Sequence, residues 1–136
     1  METLTYFFEG LFSAASGMNL LCCLGGVVAG MLVGVLPGLG PTAGTALLLP
    51  LTFGMEPVQS IVLLSGIYYG AMYGGTISSV LINTPGEAAS VITCVDGYPM
   101  AKQGRAGQAL GIAAIGSFVG GTISLIGLLI LGPTVA

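Results

Sequence analysis

Gly34-Val35-Leu36-Pro37-Gly38-Leu39-Gly40-Pro41 carries no charge and interrupts the most apolar part of the chain, between Met31-Leu32-Val33 and Ala46-Leu47-Leu48-Leu49. Pro37 and Pro41 lack a backbone donor and block continuation of an α-helix, while Gly38 and Gly40 admit dihedrals that other residues resist. A helix arriving from the N-terminal side must stop here. In a soluble protein such a turn would lie at the surface in polar company. Its neighbours here are aliphatic on both sides, which places the break inside a membrane. Lipid leaves unpaired backbone groups unsatisfied, so an interrupted helix at that depth is expected to be buried in protein or to line a cavity.

The rest of the chain agrees with a membrane setting. Of its 136 residues, 54% are hydrophobic and only 5% charged, against about 25% charged in soluble domains. The mean hydropathy is +1.03. The reading is an all-α, polytopic integral membrane protein in a single membrane domain over residues 1–136. Two basic and five acidic residues, net charge −3, describe loops and not a field that would attract nucleic acid. There is no histidine, and the three cysteines include the vicinal pair Cys22-Cys23 inside an apolar run. They are read as small packing residues, with no metal site of ordinary spacing. No histidine base, close carboxylate pair or activated serine is present, so the chain is not expected to be an enzyme.

Segments follow from this pattern. Residues 1–17, with Leu4, Phe7, Phe8, Leu11 and Phe12 at helical spacing, suit an interfacial helix or a lead-in to the first span. Residues 19–36, 58–82 and 106–131 are long enough for the main spans, and residues 41–53 and 85–95 for short or half-helices. Gly26, Gly30 and Gly34, then Gly66, Gly70 and Gly74, and finally Gly107 with Gly111 and Gly116 with Gly120 form small-residue faces on three helices. Tight helix packing is expected along each. Tyr68, Tyr69 and Tyr73 suit either an interfacial belt or the lining of a pathway.

A second break occurs at Asn83-Thr84-Pro85-Gly86-Glu87. Thr84 as N-cap, Pro85 at the first helical position and Glu87 three residues after the cap read as a capping box opening a helix. That helix is too short to span and is expected to end at Asp96-Gly97-Tyr98-Pro99, which together with the break describes a re-entrant hairpin. Glu87 has a structural reading in the box and a functional one as a carboxylate at membrane depth. Asp96 reads as a turn former. Lys102 and Arg105 hold the only basic charges and assign their loop to the cytoplasm. The N-terminus lacks a cleavable-signal pattern, and the apolar run to Leu131 without a polar tail is expected of the N-terminal portion of a longer protein. Two discontinuous helices, each starting with exposed N–H groups and a positive dipole end, are how secondary transporters hold anions, while unwound carbonyls hold cations.

Gly34 to Pro41, Tyr68-Tyr69-Gly70-Ala71-Met72-Tyr73-Gly74-Gly75, Asn83 to Ser90, and Asp96 to Gly107 occur in this order and closely resemble the large membrane subunit of the tripartite tricarboxylate transporters. The resemblance runs from about residue 5 to the end. It implies a multi-pass protein of the bacterial inner membrane, working with a small membrane subunit and a periplasmic substrate-binding protein. The implied task is uptake of citrate or a related carboxylate, driven by an ion gradient, with a coupling cation, Na⁺ or H⁺, and no other cofactor. Members of that family continue well past this length and usually contain a second, related half. The family's two break motifs map onto Leu36 to Pro41 and Asn83 to Glu87. Substrate or ion contact is accordingly expected at Pro37, Gly38, Leu39, Gly40, Pro41, Thr42, Asn83, Thr84, Pro85, Gly86 and Glu87. The alternative is a non-transporting membrane assembly or scaffold subunit, suggested by the glycine stripes.

Overall fold

In the computed structural model, which describes residues 2–135 (side chains of 5–132), every regular element is helical. The order is α1 (Glu2–Ala14), α2 (Gly17–Gly34), α3 (Gly40–Leu48) with a 3-10 turn (Leu49–Thr52), α4 (Pro57–Ile82), a 3-10 turn (Ala88–Ser90), α5 (Val91–Lys102) and α6 (Ala106–Val135). Two of these, Gly17–Gly34 and the Ala106–Gly132 part of α6, are long and apolar enough to cross a membrane. The 26-residue α4 is long enough at about 39 Å, but its glycines, serines and tyrosines dilute its apolar character.

The architecture is set by one seam. Gly26 of α2 lies against Leu63, Gly66 and Ile67, Gly30 against Ile67, and Gly34 against Ala71; reciprocally, Gly66 lies against Cys23 and Val27, Gly70 against Val27, and Gly74 against Met31 and Gly34. Glycine meets backbone from both sides, and a Cβ added at any of the six would collide with main-chain atoms. Because apolar side chains gain nothing from leaving lipid for one another, close backbone approach is the main source of packing energy between such helices. The partner positions advance in the same direction on both helices, so α2 and α4 run parallel.

A parallel pair requires the chain to come back between its members. It does so through the first break. Gly38 and Gly40 take left-handed φ values of +86° and +60°, and Pro41 sits in the first turn of α3, where its missing N–H costs nothing. Gly44 of α3 then passes Val33, Ala71 and Ile67, so α3 descends antiparallel to α4. Its nine residues and the four of the 3-10 turn cover about 13 Å and about 8 Å. Pro50, in the 3-10 turn, cannot donate to a continuing α-helix. Glu56 and Pro57 open α4.

The second break differs from the sequence expectation. Asn83 is the left-handed C-cap of α4 (φ +56°), and its short polar side chain tolerates that conformation. Thr84 caps no helix: its hydroxyl donates to the Ile82 carbonyl (3.2 Å), and Pro85 opens none. The N-cap is Glu87, and Ser90 stands three residues after it, with its Oγ accepting from the Glu87 N–H (3.3 Å) and donating to the Glu87 carbonyl (2.9 Å). Asp96-Gly97-Tyr98-Pro99 is not a turn either; α5 continues through it to Lys102. Two features accommodate these residues in a helix. A Cβ at Gly97 would stand 2.8 Å from Val80 Cγ2, so glycine permits the approach of α5 to α4. Pro99 lies one turn before the helix end, where only one intrahelical bond is forfeited. The short helix expected at 85–95 is thus the continuous segment 88–102.

The third glycine face also differs. A Cβ at Gly107, Gly111, Gly116 or Gly120 would meet nothing within 4 Å, and Ile112, Phe118 and Ile126 stand exposed on α6. Between α4 and α6, the Tyr73 hydroxyl donates to the Leu110 carbonyl (3.1 Å).

Candidate functional site

The two breaks, separated by more than forty residues in sequence, meet on α4. After Asn83 the chain folds back along the helix until Gly86 rests on Gly75. A Cβ on Gly86 would lie 2.5 Å from the Gly75 Cα and 3.0 Å from the Gly34 carbonyl oxygen. Glycine at both 75 and 86 is therefore what allows the second break to reach the C-terminal end of α2. On the other side, the Cβ position of Gly40 is 3.7 Å from the Gly86 carbonyl oxygen and 3.8 Å from Glu87 Cβ. The start of α3 and the start of the Ala88–Lys102 helical segment are consequently neighbours.

Of the eleven residues expected at the site, Gly40, Gly86 and Glu87 are drawn together, with the buried Pro41 beside them in the first turn of α3 and the half-buried Leu39 before it. Thr84 and Pro85 are half-buried along the return of the chain. Pro37, Gly38 and Thr42 are exposed, and so is Asn83, whose role is to terminate α4. The two helix starts are also unequal. No side chain caps α3, so its first-turn N–H groups, of which Pro41 supplies none, are not occupied by a capping side chain. The other start is closed by the Glu87 and Ser90 bonds.

A cavity of about 440 Å³ opens beside this junction. One wall is α4, with Tyr69, Tyr73 and Thr76; a second is the segment after the break, with Glu87, Ser90 and Thr93; the third is α6, with Ser117, Gly120 and Gly121. Glu87 belongs to both features, facing the break junction with its backbone and Cβ and the cavity as a lining residue. Of the cavity's hydroxyl groups, Tyr69 and Tyr73 are two of the three tyrosines read from the sequence as belt or pathway residues, whereas Thr76, Thr93 and Ser117 were not singled out. The signal on α4 was the spacing 69, 73 and 76, one face of the helix adjacent to its glycine stripe. No group of three or more His, Cys, Asp or Glu residues able to hold a metal occurs among the described residues.

The sequence model of the tripartite tricarboxylate transporter TctA family matches residues 20–136. The chain belongs to that family. Over all 136 residues the TctA-family chain is also 51% identical to an uncharacterized 52.8 kDa protein from the TAR-I ttuC' 3' region of Agrobacterium vitis, and it spans 27% of that protein's length. No solved structure matches it. The family is one of transporter components, and both break motifs and the cavity walls lie within the matched residues.

Proposed function

We propose that this TctA-family chain is part of the membrane permease subunit of a binding-protein-dependent secondary transporter, and that the paired breaks form one side of its carboxylate site. The observation that carries the reading is the convergence of Gly40 and Pro41 with Gly86 and Glu87. A helix start without a cap beside a second interrupted helix offers N–H donors and a positive dipole end to an anion. In this reading the protein is a multi-pass protein of the bacterial inner membrane. α2, α4 and α6 cross it, and residues 83–102 form a re-entrant hairpin that dips to Gly75 and returns along α4. A small membrane subunit and a periplasmic binding protein deliver a citrate-like carboxylate, and a Na⁺ or H⁺ gradient drives uptake.

Binding-protein-dependent citrate uptake into cells expressing the complete system tests the reading. Gly86→Leu and Gly38→Leu should abolish uptake while membrane insertion persists, and unchanged uptake in both would overturn it. A scaffold role would instead appear as Asn83→Ala and Thr84→Ala variants that lower recovery of the complex and leave the transport rate per complex intact.

A further inference from the structure

We infer that the loop joining α5 to α6 is a docking site for an anionic phospholipid, with Lys102 and Arg105 on the headgroup phosphate and the exposed faces of the two helices against the acyl chains. Lys102 and Arg105 are the two basic residues of the sequence, and both are exposed. Neither forms an ion pair among the described residues. The nearest acidic residue in sequence, Asp96, lies about 9 Å down the α5 axis from Lys102 and about a third of a turn round it. The positive charge of the chain is therefore gathered, unpaired, at one turn.

The backbone of that turn holds the two side chains in place. The Gly104 N–H donates to the Ala101 carbonyl (3.0 Å) and the Arg105 N–H to the Met100 carbonyl (3.0 Å), with Gly104 at a left-handed φ of +76°. This is the Schellman closure of α5. Lys102 Nζ lies 4.9 Å from the centre of the Tyr98 ring, which steadies the ammonium and leaves its N–H donors for a ligand. Arg105 Nε donates to Gln108 Oε1 (2.7 Å), which uses one of the five guanidinium donors and orients the rest. A planar fork beside a point charge matches a phosphodiester. A Cβ at Gly104 or Gly107 would meet nothing within 4 Å, so the space beside the cations is open.

What distinguishes a lipid from other anions lies along the two helices. Helical spacing puts Ile92 and Val95 on the face of α5 that ends in Lys102, and Ile112 and Ile115 on the face of α6 that begins at Arg105. All four are more than 60% exposed. Each cation thus heads an exposed aliphatic row. A soluble phosphate or an acidic peptide would use the cations and leave both rows uncovered, whereas a phospholipid covers charge and rows together. Tyr98, apolar in body and polar at its tip, suits the same boundary. The site goes beyond the transport reading and shares with it only the placing of this loop at a membrane surface.

Native mass spectrometry of the protein purified in detergent, given equimolar phosphatidylglycerol and phosphatidylcholine with the same acyl chains, tests the inference. At about fivefold per basic residue near an anionic headgroup, phosphatidylglycerol should be retained about 25-fold over phosphatidylcholine. Lys102→Gln and Arg105→Gln should each lower that preference about fivefold, and the double variant should bring it close to parity. The exchange Lys102→Arg with Arg105→Lys keeps both charges and should keep most of the preference, which separates loss of charge from a folding defect. Glycerol 3-phosphate at the same concentration should not displace the lipid. The inference is overturned if phosphatidylcholine is retained equally, if the neutral double variant keeps the preference, or if glycerol 3-phosphate displaces the lipid. Since no solute is carried in this assay, a charge-dependent preference alongside normal uptake in the Gly86 and Gly38 variants would remove the transport reading alone.

Discussion

Replacing Gly30 by alanine tests the seam on which the architecture rests. The new Cβ would fall on the Ile67 carbonyl oxygen and stand 2.7 Å from the Ile67 carbonyl carbon and Cα. Ordinary contact begins at about 3.4 Å, so the two carbon contacts alone require the backbones to separate by at least roughly 0.7 Å and the closer carbonyl oxygen requires more, a distance no side-chain rotation can supply. A gap of that size forfeits a quarter to a half of each dispersion contact across it. If the seam holds roughly 50 atom pairs, about what one buried leucine makes, at about 0.15 kcal/mol each, the loss is about 2–4 kcal/mol. Alanine's better helix propensity returns up to about 1 kcal/mol, leaving a net destabilisation of about 1–3 kcal/mol. Gly111→Ala is the internal control, because its Cβ meets nothing within 4 Å and should be neutral or stabilising by up to about 1 kcal/mol. Reversible unfolding of the purified protein by SDS in mixed micelles reads both. A Gly30→Ala variant within about 0.3 kcal/mol of wild type, or one indistinguishable from Gly111→Ala, would refute the seam.

Three other outcomes follow from single contacts. Tyr73→Phe removes the bond to Leu110 (3.1 Å) and should cost about 0.5–1.5 kcal/mol, with hydrogen exchange accelerating along α6 and not along α2. Asn83→Gly should leave Tm unchanged within error, while Asn83→Ala lowers it through about 1 kcal/mol of strain at the left-handed C-cap (φ +56°). Ser90→Ala removes both bonds to Glu87 and should destabilise by about 0.5–2 kcal/mol, visible as a lower SDS midpoint, whereas Thr84→Ala should not.

That last contrast shows why part of the site was hidden in the sequence. Thr84 and Glu87 have capping-box spacing, but Glu87 and Ser90 have the same separation, and only the packing of Gly86 on Gly75 decides between them. The first break was legible because Pro37, Gly38, Gly40 and Pro41 act locally. Pairing of the breaks was not, since it depends on which glycine of α4 receives the returning chain. Asp96 to Pro99 misled for a related reason: each residue favours a turn by itself, and the contact of Gly97 with Val80 makes that stretch helical. The stripes on α2 and α4 were readable as contact faces because they serve each other. The same pattern on α6 identified a face and no partner. Tyr69 and Tyr73 were readable as belt or pathway residues, whereas Thr76, Thr93 and Ser117 escaped notice because only the folding of three separate elements around one cavity brings them together.

The parallel pairing of α2 and α4 also has a consequence for biogenesis. Gly26 finds its counterpart at Gly66, forty residues further along the chain, and α3 must turn back before the counterpart can arrive on the correct side. At about 5–20 residues per second, the ribosome takes roughly 2–8 s to deliver the missing face. In the multi-pass arrangement proposed above, α2 stands during that interval in the bilayer with a bare glycine groove, open to any other helix that passes. The return through α3 keeps this wait short, and a chaperone or insertase that shields the groove would act on α2 within those seconds.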